Sequence, residues 1–122
     1  MSRLSEDLRQ RTKRTASMVI SLYVSLPKSR KEVDVLGTQL LRSGTSIAAH
    51  AREASRARSD AEFCSKLDGL LQEADESLLW SELLKEDCKV ESALIDMIHS
   101  QTSEILAVFT SIVSKVRNSL PK

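Results

Sequence analysis

The segment from residue 33 to residue 54 repeats apolar or small side chains every three or four positions, which is the spacing of one face of an α-helix. Within it, Gly37, Gly44 and Ala51 are seven residues apart on one line. Glycine inside a helix costs about 0.5–1 kcal/mol relative to alanine, so a helix that keeps it at this spacing is expected to receive a close neighbour. The pattern therefore predicts a tightly packed bundle helix. A phosphate-binding loop at "RSGTS" is disfavoured, because the stretch lacks the glycine spacing and the lysine of such loops.

Three further segments show the same helical spacing. The first ends before Pro27, because the residue preceding a proline is pushed out of the helical region. "SRKE" (29–32) and "SDAE" (59–62) resemble capping boxes that would start the second and third helices. The core line expected for the fourth helix is Leu94, Ile98, Gln101, Ile105, Val108, Ile112 and Val116. Helices at roughly 5–26, 30–57, 60–86 and 91–118 predict an all-α, antiparallel up-down-up-down four-helix bundle, with residues 1–122 as a single domain.

Several classes of protein are disfavoured by what the sequence lacks. No apolar run approaches the roughly 20 residues of a membrane-spanning helix, and the N-terminal segment has no apolar core of the secretion-signal kind. Two cysteines are too few for a disulfide framework in a chain of 122 residues, so we expect a cytoplasmic protein without membrane contact. A lone Asp96-x-x-His99 supplies too few ligands for a metal in a bundle of this kind. We expect no metal, no cofactor and no enzymatic activity.

Charge is divided unevenly along the chain. Residues 1–58 contain 12 Lys and Arg against 5 Asp and Glu, a balance of +7, and residues 59–122 contain 6 against 12, a balance of −6. Such a split indicates either a basic surface for an anionic partner or a subunit that pairs with copies of itself. The residues predicted to bind nucleic acid lie on the first two helices: Arg9, Arg11, Lys13, Arg14, Arg42, Arg52, Arg56 and Arg58.

A second surface is indicated by missing charges. Residues 15–27 carry no formal charge, and between Asp96 and Lys115 the only charged side chain is that of Glu104. A solvent-exposed helix face normally carries Lys and Glu, so the first and fourth helices are expected to be covered on two sides. We predict a homo-oligomer whose subunits meet through these helices, with Met18, Tyr23, Met97 and Phe109 at the interface.

Four stretches resemble a known family: "SLP" (25–27), "LGTQLLRSGTSIAAHAREA" (36–54), "ARSDAEFCSKL" (57–67) and "EADESLLWSELL" (73–84). They are similar to the bacterial four helix bundle proteins, also called 23S rRNA intervening-sequence proteins or ribosomal protein S23. The resemblance implies antiparallel bundles that assemble as pentameric rings, some of them encoded within insertions in large-subunit ribosomal RNA genes. A related protein is the accessory variability determinant of diversity-generating retroelements, which binds nucleic acid and a reverse transcriptase.

The resemblance also marks individual positions without assigning them any chemistry. The positions at which the chain resembles the family are Gly37, Arg42, Ser43, Gly44, Thr45, Ser46, Glu53, Glu73, Glu76 and Trp80. Glu73 and Glu76 are expected to pair with Arg42 or Arg56, within or between subunits. The chain departs from the family at His50, where members commonly have asparagine. Two functions stay open: an oligomer that binds RNA or DNA and supports a reverse transcriptase or accompanies a ribosomal RNA insertion, and an oligomeric scaffold that binds no nucleic acid.

Overall fold

The computed structural model describes residues 2–121. Its four helices are α1 (Glu6–Ser25), α2 (Lys31–Ser55), α3 (Asp60–Glu86) and α4 (Ala93–Asn118). Each helix packs against two others, so that the contacts run around the bundle in the order α1, α2, α3, α4 and back to α1. No strand occurs within residues 2–121. The prediction of an all-α four-helix bundle is confirmed.

Ion pairs across the bundle show that neighbouring helices run in opposite directions. Arg117 near the end of α4 contacts Asp68 near the start of α3 at 2.8 Å, whereas Lys85 near the end of α3 contacts Asp96 near the start of α4 at 2.6 Å. The hydrogen bond to Asp96 raises the pKa of Lys85. Both partners of each pair are about half exposed. The pairs therefore show how the helices are aligned but contribute little to the stability of the bundle.

The two predicted helix starts have different outcomes. Ser59 is the N-cap of α3 as predicted, and its side chain accepts a hydrogen bond from the backbone N–H of Glu62. The predicted cap at Ser29 is wrong, because Arg30 occupies the N-cap position of α2 and makes no side-chain capping bond. Glu32, which would complete the box, instead accepts a hydrogen bond from the Arg30 side chain at 2.9 Å.

Burial follows the predicted lines on α2 and α3. Every position of the α2 line is buried, and so is the line on α3 that runs from Phe63 to Leu84. On α4 the prediction is right at Ile98 and Ile105 and wrong by one position at most of the others. The buried residues there are Ile95, Ile98, Thr102, Ile105, Phe109 and Val113. The face of α4 that meets the core is therefore rotated by about 60° from the predicted one, which is less than the 100° of one residue because the two lines share two positions.

Both seam glycines of α2 lie against side chains of α1. A Cβ atom placed on Gly44 would be 2.9 Å from Cγ2 of Val19, and one placed on Gly37 would be 2.6 Å from Cδ1 of Leu26. Real Cβ atoms do not approach neighbours so closely, so a larger residue at either site requires α1 or its side chains to move. The predicted close approach of a neighbouring helix is present, and the neighbour is α1.

Small polar side chains divide the core into two apolar clusters. The hydroxyls of Ser43 and Ser77 lie 2.7 Å apart in a fully buried hydrogen bond between α2 and α3, and Thr102 of α4 is also buried. The first cluster contains Leu4, Ile47, Ala51, Ala54, Phe63, Cys64, Leu67, Leu70, Ala74, Ile105, Phe109 and Val113. The second contains Val19, Leu22, Leu26, Val33, Leu40, Leu84, Cys88, Ile95 and Ile98.

The serine pair is expected to matter more for the pairing of the helices than for their stability. Ser77→Ala alone should lower the free energy of unfolding by about 1 kcal/mol, because it leaves the buried Ser43 hydroxyl with only a poor partner. The double variant Ser43→Ala/Ser77→Ala should recover most of that loss, since no polar group is then left unpaired. Urea denaturation of the two single variants and the double variant measures the coupling. Additive losses would show that the two hydroxyls do not depend on each other.

Candidate nucleic-acid interface

Four of the eight predicted basic residues line one groove. Arg9 and Lys13 reach it from α1, Arg52 reaches it from α2, and Arg56 reaches it from the position that caps the end of α2. These four residues define what we call the four-cation groove. It is open to solvent, has a volume of about 960 Å³, and extends over α2 to Lys66 of α3.

Small side chains allow the groove to exist. Ala48 and Ala49 of α2 lie on its lining between the basic residues. A larger residue at these positions would fill the space between the two rows of cations. The approach of α1 to α2 at Gly44 holds the two rows at a fixed separation, because Val19 leaves no room there for the helices to slide. The groove is therefore built from rigid helical segments rather than loops.

The cations of the groove have no anionic partner within residues 2–121. None of Arg9, Lys13, Arg52 and Arg56 takes part in an ion pair there. The Nε atom of Arg9 is closed off from solvent and has no hydrogen-bond acceptor in the described chain. An unpaired buried donor costs about 1–3 kcal/mol, and more when it is charged. An anion bound in the groove would remove the mutual repulsion of the four cations.

Two acidic residues also line the groove, and both are engaged elsewhere. Glu53 contacts Lys66 of α3 at 3.2 Å and lies 3.2 Å from Nδ1 of His50. Glu62 lies 3.6 Å from Arg58. Neither carboxylate forms an ion pair with Arg52 or Arg56 in the described chain.

The other four predicted basic residues lie outside the groove. Arg11 faces α4 and pairs with Glu104 at 2.6 Å. Arg58 pairs with Glu62, and Arg42 donates a long hydrogen bond of 3.4 Å to Gln39. Arg14 is exposed and does not line the groove. The structure thus brings half of the predicted basic residues together and separates the rest.

The positions marked by the family resemblance all belong to α2 and α3, but they lie on different faces of these helices. Ser43 is buried against Ser77, Thr45 donates to the carbonyl of Leu41 within its own helix, and Trp80 is half-buried against the second cluster. Three further positions are also half-buried: Ser46 of α2, and Glu73 and Glu76 of α3.

The expected pairing of the two glutamates is not seen inside the subunit. Neither Glu73 nor Glu76 contacts Arg42 or Arg56 within the described residues. Pairing between subunits stays a prediction.

The contact between His50 and Gly69 was not predicted. A Cβ atom on Gly69 would be 3.0 Å from Cε1 of His50, so the imidazole of α2 lies directly on the backbone of α3. The spacing of residues in the sequence does not predict this contact. Gly69 is an isolated glycine in a helix with many acidic residues, so it belongs to no repeated pattern. Lys66, three residues earlier, was also missed as a neighbour of the groove.

Three of the four predicted interface residues keep some exposed surface, and one does not. Met97 is 52% exposed, and Met18 and Tyr23 are half-buried against the second cluster. The assignment of Phe109 is wrong. Its side chain is 0% exposed within the subunit, where it belongs to the first cluster, so no partner subunit can reach it. The largest exposed apolar side chains of α1 are instead Val24 at 72% and Ile20 at 49%.

The described chain contains neither a metal-binding cluster nor a membrane-spanning helix. Within residues 2–121, no group of three or more His, Cys, Asp and Glu side chains is arranged to hold a metal ion. Asp96 forms its ion pair with Lys85, and His99 contacts Glu82 at 2.8 Å. Over the same range, none of the helices combines the length and the apolar character that crossing a membrane requires.

Comparison with known proteins identifies the family. The family model described as "23S rRNA-intervening sequence protein" matches residues 6–111, which covers all of α1, α2 and α3 and most of α4. The chain belongs to the 23S rRNA-intervening sequence protein family. This confirms the resemblance carried by the four sequence stretches.

A solved structure from the same group supports the fold. It is a crystal structure of a protein of unknown function from the S23 ribosomal protein family of Bacteroides thetaiotaomicron, and it is 34% identical to this chain. The match covers 87% of this chain and 97% of the other, with a TM-score of 0.78. No curated protein is significantly similar to the chain. The 23S rRNA-intervening sequence protein family therefore establishes the fold of this chain and leaves its activity to be derived from the surface.

Proposed function

We propose that this member of the 23S rRNA-intervening sequence protein family is an oligomeric accessory protein that binds RNA or DNA through the four-cation groove. The observation that carries the proposal is the convergence of four cations from two helices without an acidic partner in the described chain. Folding brings these charges together at a cost, because like charges one helical turn apart repel. A polyanion offsets that repulsion.

The chemistry of the groove favours phosphate as its ligand. Three of the four cations are arginines, whose planar guanidinium groups donate two parallel hydrogen bonds to phosphate oxygens. No Trp, Tyr or Phe lines the groove, so base stacking is not expected to contribute. Contacts to phosphate position a nucleic acid without reading its bases. Binding should therefore tolerate any base sequence.

Oligomerisation would multiply a weak contact. One groove offers four cations and by itself should bind weakly, whereas a ring presents the same groove once per subunit. Simultaneous contacts raise the affinity through effective concentration without new chemistry. The pentameric ring, and a reverse transcriptase as protein partner, belong to this proposal through the family resemblance. The exposed Val24, Ile20 and Met97 side chains support the expectation that α1 and α4 have apolar surface to bury.

The test is a salt titration of binding to RNA and to DNA. The slope of log affinity against log salt should be about −2 to −4, since each neutralised phosphate contributes about 0.7–0.9. Arg52→Glu/Arg56→Glu should abolish binding at about 50 mM salt, where electrostatic contacts are strongest. The matched control is Arg14→Glu/Arg42→Glu, which makes the same change of charge on exposed residues outside the groove. The control should retain most of the affinity.

Two results would contradict the proposal. One is a wild-type protein that binds neither RNA nor DNA at about 50 mM salt. The other is an equal loss of affinity in the groove variant and the control variant, which would mean that net charge alone governs binding.

A second function is favoured by one observation. Glu73 and Glu76 on α3 are half-buried and form no ion pair within residues 2–121, so they could accept the groove arginines of a neighbouring subunit. The protein would then be a structural scaffold that binds no nucleic acid. Light scattering separates the two functions. If Arg52→Glu/Arg56→Glu dissociates the oligomer, the groove is an interface between subunits.

A further inference from the structure

The arrangement of charges in the four-cation groove restricts the class of nucleic acid that it can hold. We infer that the groove binds a single strand, with the sugar–phosphate backbone directed inward and the bases directed toward solvent. This inference rests on the proposed function and extends it to the form of the ligand.

The register of α1 and α2 determines how the four charges are spaced along the groove. The two helices run antiparallel, and Val19 lies against Gly44. Arg9, ten residues before Val19, is therefore level with residue 54, between Arg52 and Arg56. By the same count Lys13 is level with residue 50. At 1.5 Å per residue, the charges alternate between the two helices about 3 Å apart and cover about 9 Å of groove.

This spacing suits one strand. Consecutive phosphates of a strand are six covalent bonds apart, which is farther than the rise of about 3.4 Å per base along a duplex axis, so about 9 Å of groove lies opposite about two phosphates. Charges that alternate between the two sides of the groove can contact both free oxygens of each phosphate. Ala48 and Ala49 leave room for the backbone to approach the lining.

A duplex meets the same surface differently. Two adjacent helices, each about 10–12 Å across with axes about 8–10 Å apart, present a face of about 20 Å. Such a face cannot enter a major groove that is about 12 Å wide. A duplex would therefore rest on the rim, where Arg52 and Arg56 are exposed. It would contact Arg9, which is half-buried, less closely than these exposed residues.

The groove also has few means of distinguishing RNA from DNA. The hydroxyl of Thr12 donates to the carbonyl of Arg9 at 2.9 Å, and that of Ser55 donates to the carbonyl of Arg52 at 2.7 Å. Both hydroxyls that line the groove thus use their proton within their own helix. Neither is free to donate to a ribose 2′-hydroxyl, which is the group that separates RNA from DNA. Single-stranded RNA and DNA should bind about equally.

The experiment compares unstructured strands of about ten nucleotides, oligo-U and oligo-dT, with a DNA duplex of equal length, a size within the range bound by non-specific single-strand proteins. The full-length protein should bind both single strands at least about tenfold more tightly than the duplex, the effect of about one charge-assisted hydrogen bond. Arg9→Gln should reduce single-strand affinity about tenfold for the same reason and leave duplex affinity nearly unchanged. Arg14→Gln is the control, and it should alter neither.

Arg9→Lys keeps a positive charge in the groove, so it should retain more of the preference for single strands than Arg9→Gln does, if the variant remains folded by circular dichroism. Duplex binding as tight as single-strand binding, or an equal effect of Arg9→Gln on both ligands, would overturn this inference and leave the proposed function standing. Failure of the wild type to bind any of the three ligands would remove both.

Discussion

Phe109→Ala is expected to lower the free energy of unfolding by about 3–5 kcal/mol, the range found when a buried phenylalanine is truncated. The side chain is 0% exposed and lies in the first cluster with Ile105 and Val113. Its removal leaves a cavity that the surrounding helices can fill only in part. Since small domains are stable by about 5–15 kcal/mol in total, the variant should be close to unfolding at moderate urea concentrations.

The matched control for this prediction is Met97→Ala on the same helix. Met97 is 52% exposed, so its truncation should change the free energy of unfolding by less than about 0.5 kcal/mol if no partner covers it. Urea denaturation at several protein concentrations separates folding from assembly, because the stability of an oligomer depends on concentration. A Phe109→Ala variant of unchanged stability that dissociates into smaller species would place Phe109 at an interface and contradict its burial in the core.

Gly44→Leu is expected to destabilise the bundle by about 3 kcal/mol, near the upper end of the usual cost of overpacking. The new side chain would point at Val19, whose Cγ2 is already 2.9 Å from an ideal Cβ. Val19 is 1% exposed and branched at Cβ, so it has one preferred rotamer and nowhere to move. The strain must be relieved by separating α1 from α2.

Gly37 provides the comparison for this prediction. Although its ideal Cβ is closer to a neighbour, at 2.6 Å, that neighbour is Cδ1 at the flexible end of Leu26. Rotation of the leucine should relieve the clash, and alanine gains helix propensity over glycine. We therefore expect Gly37→Ala to be tolerated better than Gly44→Ala, the reverse of the order that the two distances suggest. Chemical denaturation of both alanine variants tests this order, and equal losses would contradict it.

Much of the fold could be predicted because α2 has a single apolar face, and because the line from Phe63 to Leu84 on α3 keeps its spacing even though Leu71, Leu78 and Leu79 lie off it. On α2, Arg42, Arg52 and Arg56 leave only one line of small and apolar residues for the core. On α4 the pattern is ambiguous. Apolar residues occur on both candidate lines, including Leu94 and Ile95 and again Val108 and Phe109. With a polar residue in the middle of each line, Gln101 or Thr102, periodicity could not choose between faces that differ by one position. The wrong choice there placed Phe109 on the surface.

The sequence predicted which kind of residue forms the candidate site, but not which individual residues form it. The sequence shows that basic residues accumulate on α1 and α2, and the structure places Arg9 and Lys13 opposite Arg52 and Arg56. It could not show that Arg11 faces α4, because its partner Glu104 lies 93 residues away in the chain. The capping box at Ser29 failed for a similar reason. The Arg30 side chain binds the carbonyl of Cys88 from the α3–α4 turn, a contact that no local pattern encodes.

The division of the core into two clusters bears on how the molecule moves. The stretch of α2 that carries Arg52 and Arg56 also contributes Ala51 and Ala54 to the first cluster, so the groove lies over one half of the bundle. The half built around the second cluster has its own apolar contacts, separated by the hydroxyls of Ser43 and Ser77. Regions with separate contacts open with separate free energies. A strand held in the groove would thus stiffen one end of the bundle and leave the other end free to fray.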